Sequence, residues 1–120
     1  MTSLSTFGAI MTYAIELEAR LHDYYQAAGN PDRAREADKR RSKLERVRRE
    51  SVLEITLEPI DGLSEDNYVL KLDDTSAGGQ SATEKVAAQF YADVAPKINV
   101  REAQRALEKV GKEHAALGGV

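Results

Sequence analysis

The chain has no cysteine, no tryptophan, three prolines and two histidines among its 120 residues. Without cysteine, disulfides, thiolate nucleophiles and thiolate-bound metals all drop out. No apolar run approaches the ~18 residues that a membrane-crossing helix needs, so no membrane partner is expected. The opening "MTSLSTFGAIMTYAIELEAR" lacks a basic leader and meets acids early, giving the expectation of a cytoplasmic protein. A large excess of one charge is missing as well. The formal net charge is −3, too small to draw the whole surface to nucleic acid or anionic lipid. With 42% apolar against 31% charged residues, the composition is that of a folding domain and not of a disordered chain. P-loop, Rossmann, nucleophile-elbow and zinc motifs are all absent, and "SAGGQS" reads as a flexible approach to a helix.

What is abundant is Ala, Glu, Arg and Leu, which favours helix over sheet. Four helical segments follow from the spacing of apolar residues: about 5–28, 31–57, 82–97 and 100–116. The first carries Phe7, Met11, Ala14, Leu21, Tyr25 and Ala28 on one stripe and stops at "GNPD". There Gly29 suits a helix end, Asn30 a cap, and Pro31 the first helical position. The second carries Ala37, Leu44, Val47 and Ser51 and ends before Pro59. Residues 58–81 hold Pro, Asp and Gly without a helical period and read as one long connection, with "NYVLKL" a candidate for a short extended piece. The third helix is expected to open at "SATEK", where Ser81 and Glu84 have capping-box spacing. Its stripe is Ala87, Tyr91, Val94 and Ile98. Asn99 is placed to cap the fourth helix, which carries Val100, Ala103, Leu107, Val110 and Leu117. One domain of 1–120 with two helical hairpins and a long crossover makes an all-α, antiparallel four-helix bundle.

Each stripe contains one ionisable residue: Glu18, Arg40, Glu84 and His114. A helix rises ~1.5 Å per residue, so counting from the hairpin turns sets the four within one or two turns of a common layer. Glu16, His22 and Asp23 fall outside the stripe. An internal repeat links the two hairpins. "ELEARLHDYYQAAG" and "SATEKVAAQFYADVAP" align with Glu18 on Glu84, Leu21 on Ala87, Tyr24 on Phe90 and Tyr25 on Tyr91. In both hairpins a Tyr, Tyr25 or Tyr91, follows the acid by seven residues on the same stripe, as an aromatic lining. Three readings are open for these residues. Glu18, Glu84 and His114 can be metal ligands. They can be a buried ion cluster completed by Arg40. Or they can be local features: a capping box for Glu84, a rim position for Glu18, a helix-dipole contact for His114.

The segments "AIELEARLHDYYQAAG", "KLERVRRESVLE", "EKVAAQFYADVAPKI" and "KEHAAL" together resemble the rubrerythrin-like branch of the ferritin-like superfamily. That resemblance implies a ferritin-like four-helix bundle. It also implies two iron or manganese ions, held by a Glu on helices one and three and a Glu-x-x-His pair on helices two and four. On this chain those positions fall on Glu18, Glu84, Ala37 with Arg40, and Gly111 with His114. Three ligands remain, and an arginine takes the place of a histidine. The expectation taken forward is a non-catalytic structural or interaction protein whose dinuclear site has decayed, without a cofactor and forming a homodimer. The alternative is an iron- or manganese-dependent oxidoreductase, or a metal-binding protein, using Glu18, Glu84 and His114. Residues 31–50 hold nine Lys or Arg against five Asp or Glu, so the basic second helix offers a third, less favoured reading as a nucleic-acid contact. Interleaved acids such as Glu36 and Glu45 instead favour i,i+4 pairing. No small-molecule substrate is indicated.

Overall fold

A computed structural model describes residues 7–51, 68–70, 72–98 and 101–119, with the backbone alone at Ser51. Among them are four α-helices and no strand: α1 Phe7–Ala27, α2 Pro31–Ser51, α3 Ala77–Val94 and α4 Arg101–Leu117. A 3₁₀ turn, Ala95–Lys97, follows α3, where Pro96 has no N–H to continue the helical ladder. None of these helices is long and apolar enough to cross a membrane.

The hairpin between α1 and α2 is set by three residues. Gly29 takes φ +75°, a left-handed turn that carries little penalty only without a Cβ. The Asn30 N–H donates back to the Tyr25 carbonyl at 2.9 Å, closing the end of α1. The Asn30 side chain then accepts from the Arg33 N–H at 3.2 Å and opens α2. Asp32 in the first turn of α2 and Arg48 and Arg49 in its last complement the helix dipole.

Helix α3 begins earlier than "SATEK". Ser76 is its N-cap, accepting from the Gly79 N–H at 3.1 Å, and Asp74 accepts in turn from the Ser76 N–H and hydroxyl. Gly79 lies so close to Asp74 that a Cβ there would meet the Asp74 carbonyl at 2.3 Å. The expected capping box at Ser81 and Glu84 is therefore not formed, and residues 77–81 are helix and not connection. Ser81 donates to the Gly118 carbonyl at 3.1 Å, tying the start of α3 to the end of α4. The expected extension of α2 to 57, the Asn99 cap and most of the connection 58–81 lie outside the described residues. Tyr68–Leu70 form no strand. Tyr68 instead enters the core and donates to Asp93 at 2.7 Å.

Helix α1 packs along α2, α3 along α4, and α2 against α4. Gly111 sets the α3–α4 approach, since a Cβ there would meet Tyr91 Cβ at 2.8 Å. Rings gather on Phe90 of α3: Tyr13 of α1 lies on it with centroids 4.9 Å apart, and Tyr68, from between the hairpins, at 5.3 Å. The rest of the core is made by most of the expected stripe residues, joined by Ile10, Leu17, Tyr24, Ala34, Ala95 and Ala106. Ala28 and Leu117, expected on the stripes, are only half-buried, and Val100 and the Ser51 side chain lie outside the described residues. Each of the four helices turns an ionisable side chain into this interior, and α3 adds Thr83.

Candidate functional site

Glu18 on α1, Arg40 on α2, Glu84 on α3 and His114 on α4 meet at one level of the interior. Glu18, Glu84 and His114 are fully buried and Arg40 is 4% exposed. Heptad position explains why one comes from each helix: every member sits on the stripe that faces the core, so burying the apolar neighbours drags the polar one inward. Glu16 and Asp23 are exposed, and His22 is partly exposed beside Asp23 at 3.1 Å. The rim position open to Glu18 in the sequence is not taken, because Arg40 reaches it across the α1–α2 contact.

The contacts can be followed oxygen by oxygen. Glu18 Oε1 accepts from Arg40 Nε at 2.7 Å. Glu18 Oε2 accepts from the Tyr91 hydroxyl at 2.7 Å and faces His114 Nε2 at 2.8 Å. Glu84 Oε1 accepts from the Tyr25 hydroxyl, and Glu84 Oε2 is bonded to His114 Nδ1. The result is one chain, Tyr25–Glu84–His114–Glu18–Tyr91, with Arg40 as a branch. The Tyr91 ring also stacks on the imidazole, centroids 5.5 Å apart and planes 9° from parallel. Arg33 lies over the Tyr25 ring at 5.6 Å.

Counting protons fixes the charge of this unit. The two tyrosines and Arg40 bring their own hydrogens, which leaves one contact at each ring nitrogen of His114. Each needs a proton, and a neutral imidazole supplies only one. Two protons are therefore shared among Glu18, Glu84 and His114. With the Arg40 guanidinium, the cluster is neutral as a whole, which is what burial demands. Titration tendencies agree. Burial alone pushes the His114 imidazolium towards deprotonation, but the bonds to Glu18 and Glu84 and their charges outweigh it and raise its pKa to about 9. Burial likewise opposes ionisation of Glu18, yet His114 and Arg40 hold its carboxyl below the usual value. Both tyrosines are kept protonated, by burial first and then by the acid each one faces: Glu84 for Tyr25 and Glu18 for Tyr91.

The ligand set implied by the ferritin-like resemblance can be tested against this arrangement. Ala37 and Gly111 carry no ligating side-chain atom, and the Arg40 guanidinium stands bonded to Glu18 where a neutral imidazole would be needed. Every carboxylate oxygen and both imidazole nitrogens already have a partner. Among the described residues no group of three or more His, Cys, Asp or Glu is placed to hold a metal ion. The residues present do not fit a dinuclear centre, because two cationic side chains sit among the carboxylates.

Sequence reasoning passed over Arg33, although it precedes Arg40 by seven residues and so shares its face of α2. It also passed over Tyr68, which lies in a segment with no periodicity to betray its burial. Phe90, aligned with Tyr24 in the repeat, is the centre of the ring cluster that joins Tyr13, Tyr68 and Tyr91. No protein-family model matches the chain, and no curated protein or solved structure does either.

Proposed function

We propose that the chain is a non-catalytic structural or interaction protein on a ferritin-like plan, with one long crossover between its hairpins. In this reading its buried ion cluster replaces a dinuclear metal site. The observation that supports this most is the Arg40–Glu18 contact at 2.7 Å together with His114 spanning both carboxylates. Two organic cations neutralise the two acids that would otherwise need metal charge. The internal pairing of Glu18 with Glu84, and of Tyr25 with Tyr91, is consistent with an ancestral two-fold site. The chemistry left to such a site is modest. Every oxygen of its carboxylates and both imidazole nitrogens are already bonded, its hydroxyls are held protonated, and Glu18, Glu84 and His114 are fully buried.

Metal analysis of protein purified without chelator tests the reading. The expected outcome is substoichiometric iron and manganese, unchanged in a Glu18→Ala/Glu84→Ala variant. Stoichiometric iron or manganese that disappears in that variant would overturn it in favour of a metal-dependent oxidoreductase using Glu18, Glu84 and His114. We further propose a homodimer. An apolar groove of about 530 Å³ between α3 and α4, floored by Tyr91 and Gly111, supports it. A monomeric mass in solution at micromolar concentration would reject it.

A further inference from the structure

The groove between α3 and α4 is walled by short side chains, where an outward helix face ordinarily carries long polar ones. Ala88, Ala92 and Ala115 stand along it, and Gly111 leaves its middle open beside Tyr91. Three charged residues share the rim: Lys85 on α3, and Glu108 and Lys112 on α4. Among the described residues none of these three side chains makes an ion pair or a hydrogen bond. Gln89, also on the rim, donates its amide N–H to Asp93 at 2.7 Å, which leaves its carbonyl oxygen facing outward without a partner there.

Two close approaches register the antiparallel helices against each other: Gly111 stands against Tyr91, and Gly118 against Lys85. With ~1.5 Å of rise per residue, Glu108 lies about 4.5 Å to one side of the Tyr91–Gly111 level and Lys85 about 9 Å to the other. Opposite charges therefore occupy opposite ends of the groove, on opposite helices. The positions between them repeat. Residues 85, 88, 89 and 92 of α3 and residues 108, 111, 112 and 115 of α4 both advance by three, one and three residues. Because the helices run in opposite directions, one two-fold axis brings every α3 position onto its α4 counterpart. That axis stands perpendicular to the groove, at the level of Gln89 and Lys112. The surface is thus its own complement, which is what an isologous interface requires. Lys85 of each copy meets Glu108 of the other, and Lys112 meets the outward Gln89 carbonyl. Ala92 meets Ala115, and Ala88 fills the space over Gly111. No like charges stand opposite one another.

We propose that this groove is occupied by the same groove of a second copy of the chain, in that two-fold arrangement, with Lys85–Glu108 ion pairs closing both ends. The inference rests on the homodimer reading and adds to it the face, the orientation and the charges that select it. The short side chains let α3 of one copy approach α4 of the other at the near end of the ~8–10 Å range of helix packing. Apolar walls of alanine alone would slide, whereas a shift of one turn in either direction parts Lys85 from Glu108 at both ends. The ion pairs thus set register and partner choice, and the alanine contacts supply the buried apolar area.

Sedimentation equilibrium of the full chain measures the dimer. Lys85→Glu and Glu108→Lys should each weaken it about tenfold or more, because the symmetry applies every substitution twice. Lys85→Glu/Glu108→Lys restores the pair with its signs exchanged and should return to within about threefold of the parent. Arg20→Glu makes the same charge change on the exposed side of α1 and should stay within about twofold. The absence of cysteine gives a direct readout of orientation. In a Lys85→Cys/Glu108→Cys variant the two thiols of one chain lie at opposite ends of the groove, beyond disulfide reach, while those of two chains are opposed. Mild oxidation should convert this variant to a covalent dimer and leave either single substitution uncross-linked. Circular dichroism melts establish that every variant is folded. A monomeric parent would overturn the homodimer reading and this inference together. A dimer indifferent to the charge reversals, no recovery in the double reversal, or a double-cysteine variant that stays uncross-linked would overturn this inference and leave the homodimer reading standing on another face.

Discussion

At the scale of single residues, the cluster is held together by the way Glu18 distributes its acceptors. One oxygen is taken by Arg40 and the other is shared by Tyr91 and His114. Removing Arg40 leaves a buried carboxylate without its permanent counter-charge, a loss of about 3–5 kcal/mol. Arg40→Ala should therefore lower the urea midpoint sharply, whereas Arg41→Ala and Arg49→Ala, on the solvated side of α2, should barely move it. Equal, small shifts in all three would show that Glu18 is not paired as described. His114 gives the pH dependence. Its pKa is raised to about 9 in the folded protein, against ~6.5 in an unfolded chain, so its contribution is complete below pH ~6.5 and lost as pH rises through about 9. Glu18 runs the other way. Its lowered pKa means a contribution present above ~4.5 and lost as pH falls through the folded value. Thermal melts should thus be highest between pH 5 and 6.5 and fall on both sides. In His114→Gln the alkaline decline between pH 6.5 and 9 should flatten.

At the scale of helices, the legible and illegible parts of the fold separate by physical cause. Heptad arithmetic found the stripes because burial of one face is a property of each helix on its own. It also pointed to the level at which Glu18, Arg40, Glu84 and His114 meet, since helical rise per residue is fixed. It could not find the true start of α3. Ser81-x-x-Glu84 and Ser76-x-x-Gly79 are both competent cap spacings, and the choice was made by tertiary structure. Asp74 braces Ser76, Gly118 takes Ser81, and His114 draws Glu84 inward. Nor could periodicity see Tyr68, whose burial rests on Tyr13 and Asp93, far away in sequence. The α3–α4 spacing makes its own forecast at Gly111. Alanine there gains helix propensity, by about 1 kcal/mol, but its Cβ would stand 2.8 Å from Tyr91 Cβ, backbone-proximal and unable to swing away. Gly111→Ala should therefore lower the melting temperature. Gly8→Ala, with nothing within 4 Å of the new Cβ, should leave it level or raise it.

For the whole molecule, the cluster is the polar element in which all four helices take part. Its worth can be measured apart from the damage of breaking it. Single substitutions strand a charge, so they report the penalty for an unpaired group and not the value of the intact set. The informative change removes every member together: Glu18→Leu, Arg40→Met, Glu84→Leu and His114→Leu, with Tyr25→Phe and Tyr91→Phe so that no hydroxyl loses its acceptor. Desolvating two carboxylates and two cations offsets most of their mutual attraction, and well-packed apolar replacements avoid that desolvation altogether. The sixfold variant should therefore be at least as stable as the parent near pH 6, and more stable at pH 9.5, where His114 has lost its proton in the parent. Its melting temperature should also no longer depend on pH between 5 and 9.5 in the way the parent's does. Denaturant unfolding followed by circular dichroism at pH 6 and pH 9.5 makes the comparison. A variant that folds but loses several kcal/mol at pH 6 would mean the ion cluster is net stabilising beyond a hydrophobic core of the same volume. A variant that keeps its helicity but melts without cooperativity would mean the cluster specifies how the two hairpins register against each other. The second outcome would be informative in its own right: apolar stripes slide past one another at little cost, and a bonded chain from Tyr25 to Tyr91 does not.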